Sequence, residues 1–322
     1  DKMSGFKLVE KRFVKEVDAE CLLFQHKQSG ARLLKISNAD LNKTFCITFK
    51  TVTESDAGTP HILEHSVLNG SKNFPVKSPF DILSKGSLNT FLNAMTGSDI
   101  TLYPVSSMND KDFRSLMHIY LDAVFNPLIY DDPRILEQEG WHHDLEHADS
   151  SMTYKGVVYN EMKGAFSSPT RELGYLVDQQ LFPDTPYRFS SGGYPAAIPT
   201  LTYDDFIDFH RTYYHPSNSY IFLYGDGDTE SELAFIDEHY LSKYTSSDQV
   251  VDIPLQPPFE ALRSASGVYS ATEDSELEGN TYLSLSFVIG LSTDHQLGLG
   301  LNVLSQALFN NESAPVRLAL QE

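Results

Sequence analysis

The chain has 322 residues, of which 41% are hydrophobic and 21% charged, a composition that fits a soluble globular protein and leaves room for one large domain or two ordinary ones. With 44 acidic against 24 basic residues its formal charge is −20, so nucleic acid and anionic membrane are excluded as partners by repulsion. No apolar run approaches the roughly 20 residues that cross a bilayer.

The opening "DKMSGFKLVEKRF" has no apolar core of a signal peptide, although a transit peptide trimmed from it stays open. Four segments then read as strands: "FKLVEKRFV", "AECLLFQH", "ARLLKIS" and "KTFCITFKTV", rich in β-branched and aromatic residues with turn formers between them. The two cysteines, Cys21 and Cys46, sit in these runs and are expected as buried thiols of a reducing compartment, not as a disulfide. Helical periodicity starts at Pro60. Over 109–125, Phe113, Leu116, Met117, Tyr120, Leu121 and Val124 share one face, and Asn126-Pro127 ends the helix. Further helices are predicted near 133–140, 155–166, 170–181, 203–213 and 230–242, with "NSYIFLYGD" as a core strand between the last two. Strands first, then helices with a returning strand, predict an α+β fold with a largely antiparallel sheet packed against helices.

The proline-rich "VDIPLQPPFE" is the linker candidate, giving a first domain at 1–255, a linker at 256–263 and the start of a second domain at 264–322. In the second domain "TYLSLSFVIG" reads as strand and "HQLGLGLNVLSQALFNN" as helix. That order echoes the strand and helix around residues 44–69 as a degenerate repeat. In such a repeat Leu301, Leu304 and Ser305 stand where the first copy has His61, Glu64 and His65, so the second copy has no metal site.

Two stretches match H-x-x-E-H, "HILEH" at 61–65 and "HDLEH" at 143–147. The pattern needs a helix, where residues i and i+4 lie roughly 5–6 Å apart and can share one ion; on a strand they stand about 13 Å apart. "TPHILEHSVLNG" has helix punctuation: Thr59 as cap, Pro60 at the first position, and Gly70 after the end. "GWHHDLEHADSS" alternates with period two and reads as a strand. The metal site is therefore placed at His61 and His65. A catalytic zinc takes a third protein ligand and keeps one position open. The best candidate is Glu161 in "YKGVVYNEMKGAF", a carboxylate beside the apolar Val158 and Met162 that a cation would compensate. Glu139 and Glu172 are weaker candidates.

Together "TPHILEHSVLNGSKNFPVKSPFDIL", "NAMTGSDITLYPVSS", "YKGVVYNEMKGAFSSP" and "YYHPSNSYIFLYGD" resemble the presequence protease and falcilysin branch of the pitrilysin-like (M16) zinc peptidases, over residues 20–230. The resemblance implies one zinc ion per chain, held by His61, His65 and Glu161, with Glu64 as general base to the activated water. It implies that Asn93 and Ala94 lie on an edge strand that pairs with substrate backbone. It also implies an endopeptidase for short unfolded peptides whose other half encloses the substrate, so this fragment alone is expected to be inactive or weak. Other branches carry a supporting Glu seven positions before the third ligand, where this sequence has Tyr154. The alternative class is a non-catalytic peptide-binding or assembly subunit of the same fold, which would be expected to lose ligands or base. The compartment implied is the cytoplasm of a bacterium, or the mitochondrial matrix or a plastid of a eukaryote.

Overall fold

The computed structural model describes residues 5–248 and 251–321. The first four residues of the opening segment, Val250 (the last residue before the linker candidate) and its neighbour Gln249, and Glu322 lie outside the described residues. The chain divides into two compact units, one reaching Tyr282 and one starting at Leu283.

In the first unit the predicted strands appear in order as β1 (Phe6–Val14), β2 (Ala19–His26), β3 (Arg32–Ser37) and β4 (Lys43–Lys50). Helices α1 (Thr59–Val67) and α2 (Pro79–Gly86) follow, then β5 (Asn89–Leu92), β6 (Met95–Thr96) and β7 (Ile100–Ser107). Next come α3 (Asp110–Phe125), α4 (Arg134–Glu139), the hairpin β8 (His142–Asp144) and β9 (Thr153–Lys155), α5 (Val157–Ala165), α6 (Pro169–Leu181) and α7 (Tyr203–Tyr213). The unit's regular structure closes with β10 (Ser219–Gly225) and α8 (Thr229–His239).

The main sheet runs β1-β2-β3-β10-β4-β7-β5, with β6 also paired to β7. Only β10 against β3 is parallel among these pairings, so the sheet is largely antiparallel as expected. Alternation along the strands sends Phe24, Leu33, Phe45, Ile47, Tyr103, Val105, Ile221 and Leu223 to one face, all essentially fully buried. Against that face packs α3, whose six predicted core residues, Phe113 to Val124, are all buried. Helix α1 enters the same core through Ile62, Leu63 and Val67. Asn109 caps α3 by accepting from the backbone N–H groups of Lys111 and Asp112.

Cys21 and Cys46 are free and half-buried, not the fully buried thiols expected. They sit on β2 and β4 with β3 and β10 between them. Three strand spacings are about 14 Å, beyond any disulfide.

Beyond Asp248 the predictions fare less evenly. Residues 251–282 carry no helix or strand, yet they belong to the first unit. Gln256 bonds to Asp184, and Arg263 donates to the Gln180 carbonyl at the end of α6. The unit boundary therefore falls later than the predicted linker at 256–263. "TYLSLSFVIG" is not a strand: no residue from 281 to 290 is paired. Strand propensity needs a partner to supply ladder hydrogen bonds, and no described segment pairs with this one. The second unit holds α9 (His295–Phe309), which contains Leu301, Leu304 and Ser305, and α10 (Pro315–Gln321).

Candidate active site

Helix α1 starts from Gly58, whose φ of +72° is in the left-handed region. Thr59 is the first helical residue and makes no side-chain cap, so the capping role predicted for it is corrected; the turn is set by glycine, followed by Pro60. Ile62, Leu63 and Val67 anchor the helix in the core. One turn apart on its other face, the rings of His61 and His65 are 5.0 Å apart.

Helix α5 buries Val158 and Met162 and leaves Glu161 on its open side, 54% exposed. Glu161 Oε2 stands 3.7 Å from His61 Nε2 and 3.8 Å from His65 Nε2. Among the described residues this is the one group of three or more His, Cys, Asp or Glu side chains able to converge on an ion, with donor atoms all within 4.8 Å of one another.

Each histidine is held from behind. The Gly192 carbonyl lies 3.1 Å from His61 Nδ1. A carbonyl only accepts, so Nδ1 carries the proton and Nε2 offers its lone pair toward Glu161. Asp56 ties that loop down: its carboxylate accepts from Ser190 N–H at 2.7 Å and from the Tyr175 hydroxyl at 2.8 Å, and its carbonyl accepts from Tyr194 N–H at 2.8 Å. Tyr175 stacks on Tyr194 with ring centroids 4.8 Å apart. Gly58 and Gly193 meet backbone to backbone, where a Cβ on Gly58 would come 2.8 Å from the Gly193 Cα.

Behind His65 stands Glu139, the last residue of α4, with Oε2 at 3.5 Å from Nδ1. Weighed in the sequence as a weaker third ligand, Glu139 instead sits on the far side of the ring. Burial pulls the His65 pKa down, but Glu139 together with the charges of Glu64 and Glu161 outweighs it and holds the imidazole above its ordinary value. Burial likewise pushes Glu139 up, and His65 with Gln138 brings it below the usual carboxylate range. This is the carboxylate–histidine arrangement that orients metal-binding imidazoles. Glu172 lies outside the cluster, on α6; burial raises its pKa against a hydrogen bond from Tyr194.

Glu64 lies between the histidines on α1, 8% exposed, and does not join the cluster. Its Oε2 accepts a 2.6 Å hydrogen bond from the Thr96 hydroxyl on β6.

The second H-x-x-E-H does not form a helix. His142–Asp144 is a short strand paired with β9, and the chain turns at Glu146 and His147. His143 packs on Trp141 and Tyr154 instead.

Asn93 and Ala94 interrupt the outer edge of the sheet between β5 and β6. Asn93 is satisfied inward: its N–H donates to the Pro104 carbonyl at 3.2 Å and its own carbonyl accepts from the Tyr120 hydroxyl at 3.2 Å. Ala94 makes no backbone hydrogen bond among the described residues. Sequence reasoning missed Thr96, Asp56 and Gly192. The doublet in "SSGGYP" was a visible sign of close backbone approach, but nothing in the sequence pointed that approach at His61.

A family model described as "Peptidase M16 inactive domain" matches residues 200–322. That stretch begins after Glu161 and includes none of His61, Glu64, His65 and Glu161. Protein HypA of Clostridium perfringens is 50% identical over 98% of this chain and 33% of its own length. Presequence protease 1, chloroplastic/mitochondrial, of Arabidopsis thaliana is 42% identical over 99% of this chain and 30% of its own length. Among solved structures, pitrilysin aligns with 79% of this chain and 26% of its own, at a TM-score of 0.61 and 16% identity. A protease from Helicobacter pylori aligns with 77% of this chain and 53% of its own, at a TM-score of 0.54 and 17% identity. The chain is thus similar to M16 peptidases, through the family model over residues 200–322 and through its fold to pitrilysin. The relatives it matches along its length include HypA and chloroplastic or mitochondrial presequence proteases, and it spans about a third of the length of the first two named. No helix among the described residues is long and apolar enough to cross a membrane.

Proposed function

We propose that this chain carries the active-site domain of a zinc-dependent endopeptidase of the inverted H-x-x-E-H type, acting on short unfolded peptides. The predicted first domain, 1–255, lies wholly in the unit that ends at Tyr282 and would be that domain, and the unit from Leu283 would be the start of a second, non-catalytic domain. The observation that carries this reading is the convergence of His61, His65 and Glu161 beside a buried Glu64 that is not one of them.

The donor set fits zinc. Bonds of about 2.0–2.2 Å to a tetrahedral ion put ligand atoms roughly 3.3–3.6 Å apart. The carboxylate-to-imidazole separations of 3.7 and 3.8 Å need only a small contraction. When bound, zinc supplies a Lewis acid that makes water acidic near neutrality and stabilises negative charge developing on a peptide carbonyl.

The remaining work belongs to the chain. The Gly192 carbonyl and Glu139 fix the two imidazoles, so their Nε2 atoms need no search for orientation. Glu64 takes a proton from the attacking water and delivers it to the leaving amine. The open edge at Ala94 pairs with extended substrate backbone, which reads main chain and gives broad side-chain tolerance. Asn93, whose backbone groups face inward, supports that edge and does not itself offer the pairing groups.

Replacing Glu64 with Gln in the full-length protein should keep zinc near one per chain and abolish peptide hydrolysis. Substantial residual turnover would overturn the assignment. Zinc-bound wild-type protein that binds peptides without cleaving them would favour the assembly-subunit class.

A further inference from the structure

We infer that Thr96 is a positioning residue for the general base, and that through it the substrate-pairing edge sets the base; this rests on the peptidase reading above. Glu64 is buried, and among the described residues the hydrogen bond its carboxylate receives is the one from Thr96, at 2.6 Å to Oε2. With Oε2 engaged, the carboxylate cannot rotate freely, and Oε1 is the oxygen left to accept a proton. A base held in one rotamer needs no reorganisation when the proton moves.

Thr96 is placed by the sheet and not by the helix that carries Glu64. Its strand, β6, is two residues long and pairs Met95 with Leu102 and Thr96 with Thr101 on β7. Ala94, the open point of that edge, lies two residues before it. A peptide chain added alongside Ala94 extends the ladder that β6 belongs to, and strand pairing is what fixes the position of the Thr96 backbone. The hydroxyl therefore links occupancy of the edge to the orientation of the carboxylate.

Walls around the base strengthen its dependence on this one donor. Tyr103 and Tyr120 are fully buried, and Tyr103 spends its hydroxyl on Tyr214 at 2.7 Å while Tyr120 donates to the Asn93 carbonyl. Neither takes the place of Thr96.

The test compares Thr96→Val, which keeps the shape and removes the hydroxyl, with Thr96→Ser, which keeps the hydroxyl. In the full-length protein Thr96→Val should lower kcat about tenfold to a hundredfold, with KM for the peptide and zinc content near wild type, and Thr96→Ser should recover most of the loss. A second readout needs no metal. In the zinc-free chain Thr96→Val should lower Tm by about 2–4 °C, because it strands a buried acceptor. In a Glu64→Ala background, where that acceptor is gone, the same change should cost nothing. Unchanged kcat in Thr96→Val, equal losses in Val and Ser, or additive Tm shifts would each overturn the inference. If Glu64→Gln is itself active, the general-base assignment of Glu64 has failed; if Glu64→Gln is dead and Thr96→Val is fully active, only the role of Thr96 has.

Discussion

The contact between Gly58 and Gly193 ties the start of α1 to the loop behind His61, and replacing Gly58 with Ala tests it. At φ +72° a side chain costs about 1–2 kcal/mol from its own backbone. The new Cβ would also stand 2.8 Å from the Gly193 Cα and 2.9 Å from the Gly192 carbonyl oxygen. Both are backbone atoms, so the loop has to retreat by several tenths of an ångström. The Gly192 carbonyl, 3.1 Å from His61 Nδ1, is the acceptor on the retreating loop. Losing an outer-shell partner of this kind lowers metal affinity about tenfold to a hundredfold. The strain lowers Tm by about 2–8 °C in a unit of this size. Competition against a chromogenic chelator gives the zinc affinity, and melting in EDTA gives the stability. Gly174→Ala is the control: it sits within α6 with open space around it, and alanine there should be neutral or mildly stabilising. A Gly58→Ala protein that melts early but binds zinc as tightly as wild type would refute the idea that the glycine contact positions a ligand.

His65→Ala and Glu161→Ala should each strip the metal, whereas His143→Ala and His147→Ala should leave one zinc per chain by atomic emission; loss of zinc in the latter pair would put the site at the wrong motif. His210 is buried with Nε2 donating to the Val124 carbonyl and Nδ1 accepting from Tyr130, and burial drives its pKa down to about 4. The unfolded chain, near 6.5, therefore takes the proton first. Stability from this group is complete above about pH 6.5 and is lost as pH falls toward 4, at about 1.4 kcal/mol per pH unit. Tm should fall more steeply between pH 6.5 and 4.5 in wild type than in His210→Gln; parallel slopes would remove the buried histidine from the account. The 322 residues on their own should bind zinc, and a chain extended through the rest of its relatives' length should turn over peptides several powers of ten faster if the added length supplies positioning and enclosure; equal turnover would show that these residues suffice.

Periodicity carried most of the first unit. Helix α3 could be read residue by residue because a 3.6-residue apolar stripe over 16 residues has no strand alternative. The choice between the two H-x-x-E-H stretches was also local, since Pro60 and the apolar Ile62, Leu63 and Val67 demand a helix while 141–147 alternates. Glu161 was legible for the same reason, as a charge beside two core positions. What stayed hidden are contacts between residues far apart in sequence. Glu139 and His65 are 74 positions apart, Gly192 and His61 131, and Thr96 and Glu64 32. No pattern within one element announces them. The strand expected at 281–290 failed for the complementary reason: propensity was present, and among the described residues no strand pairs with it.

The place of β10 in the sheet bears on how the protein is made. β3 and β4 are neighbours in sequence, yet they are held apart by a strand that begins at Ser219. On a ribosome emitting about 5–20 residues per second, both strands wait roughly ten seconds or more for the piece that joins them. Until then β3 and β4 have no strand between them, and Ile221 and Leu223 are missing from the core beside Leu33 and Ile47. The two histidines are thus synthesised early while the sheet beneath their helix is completed late, so the centre proposed for them would not assemble on a half-made chain.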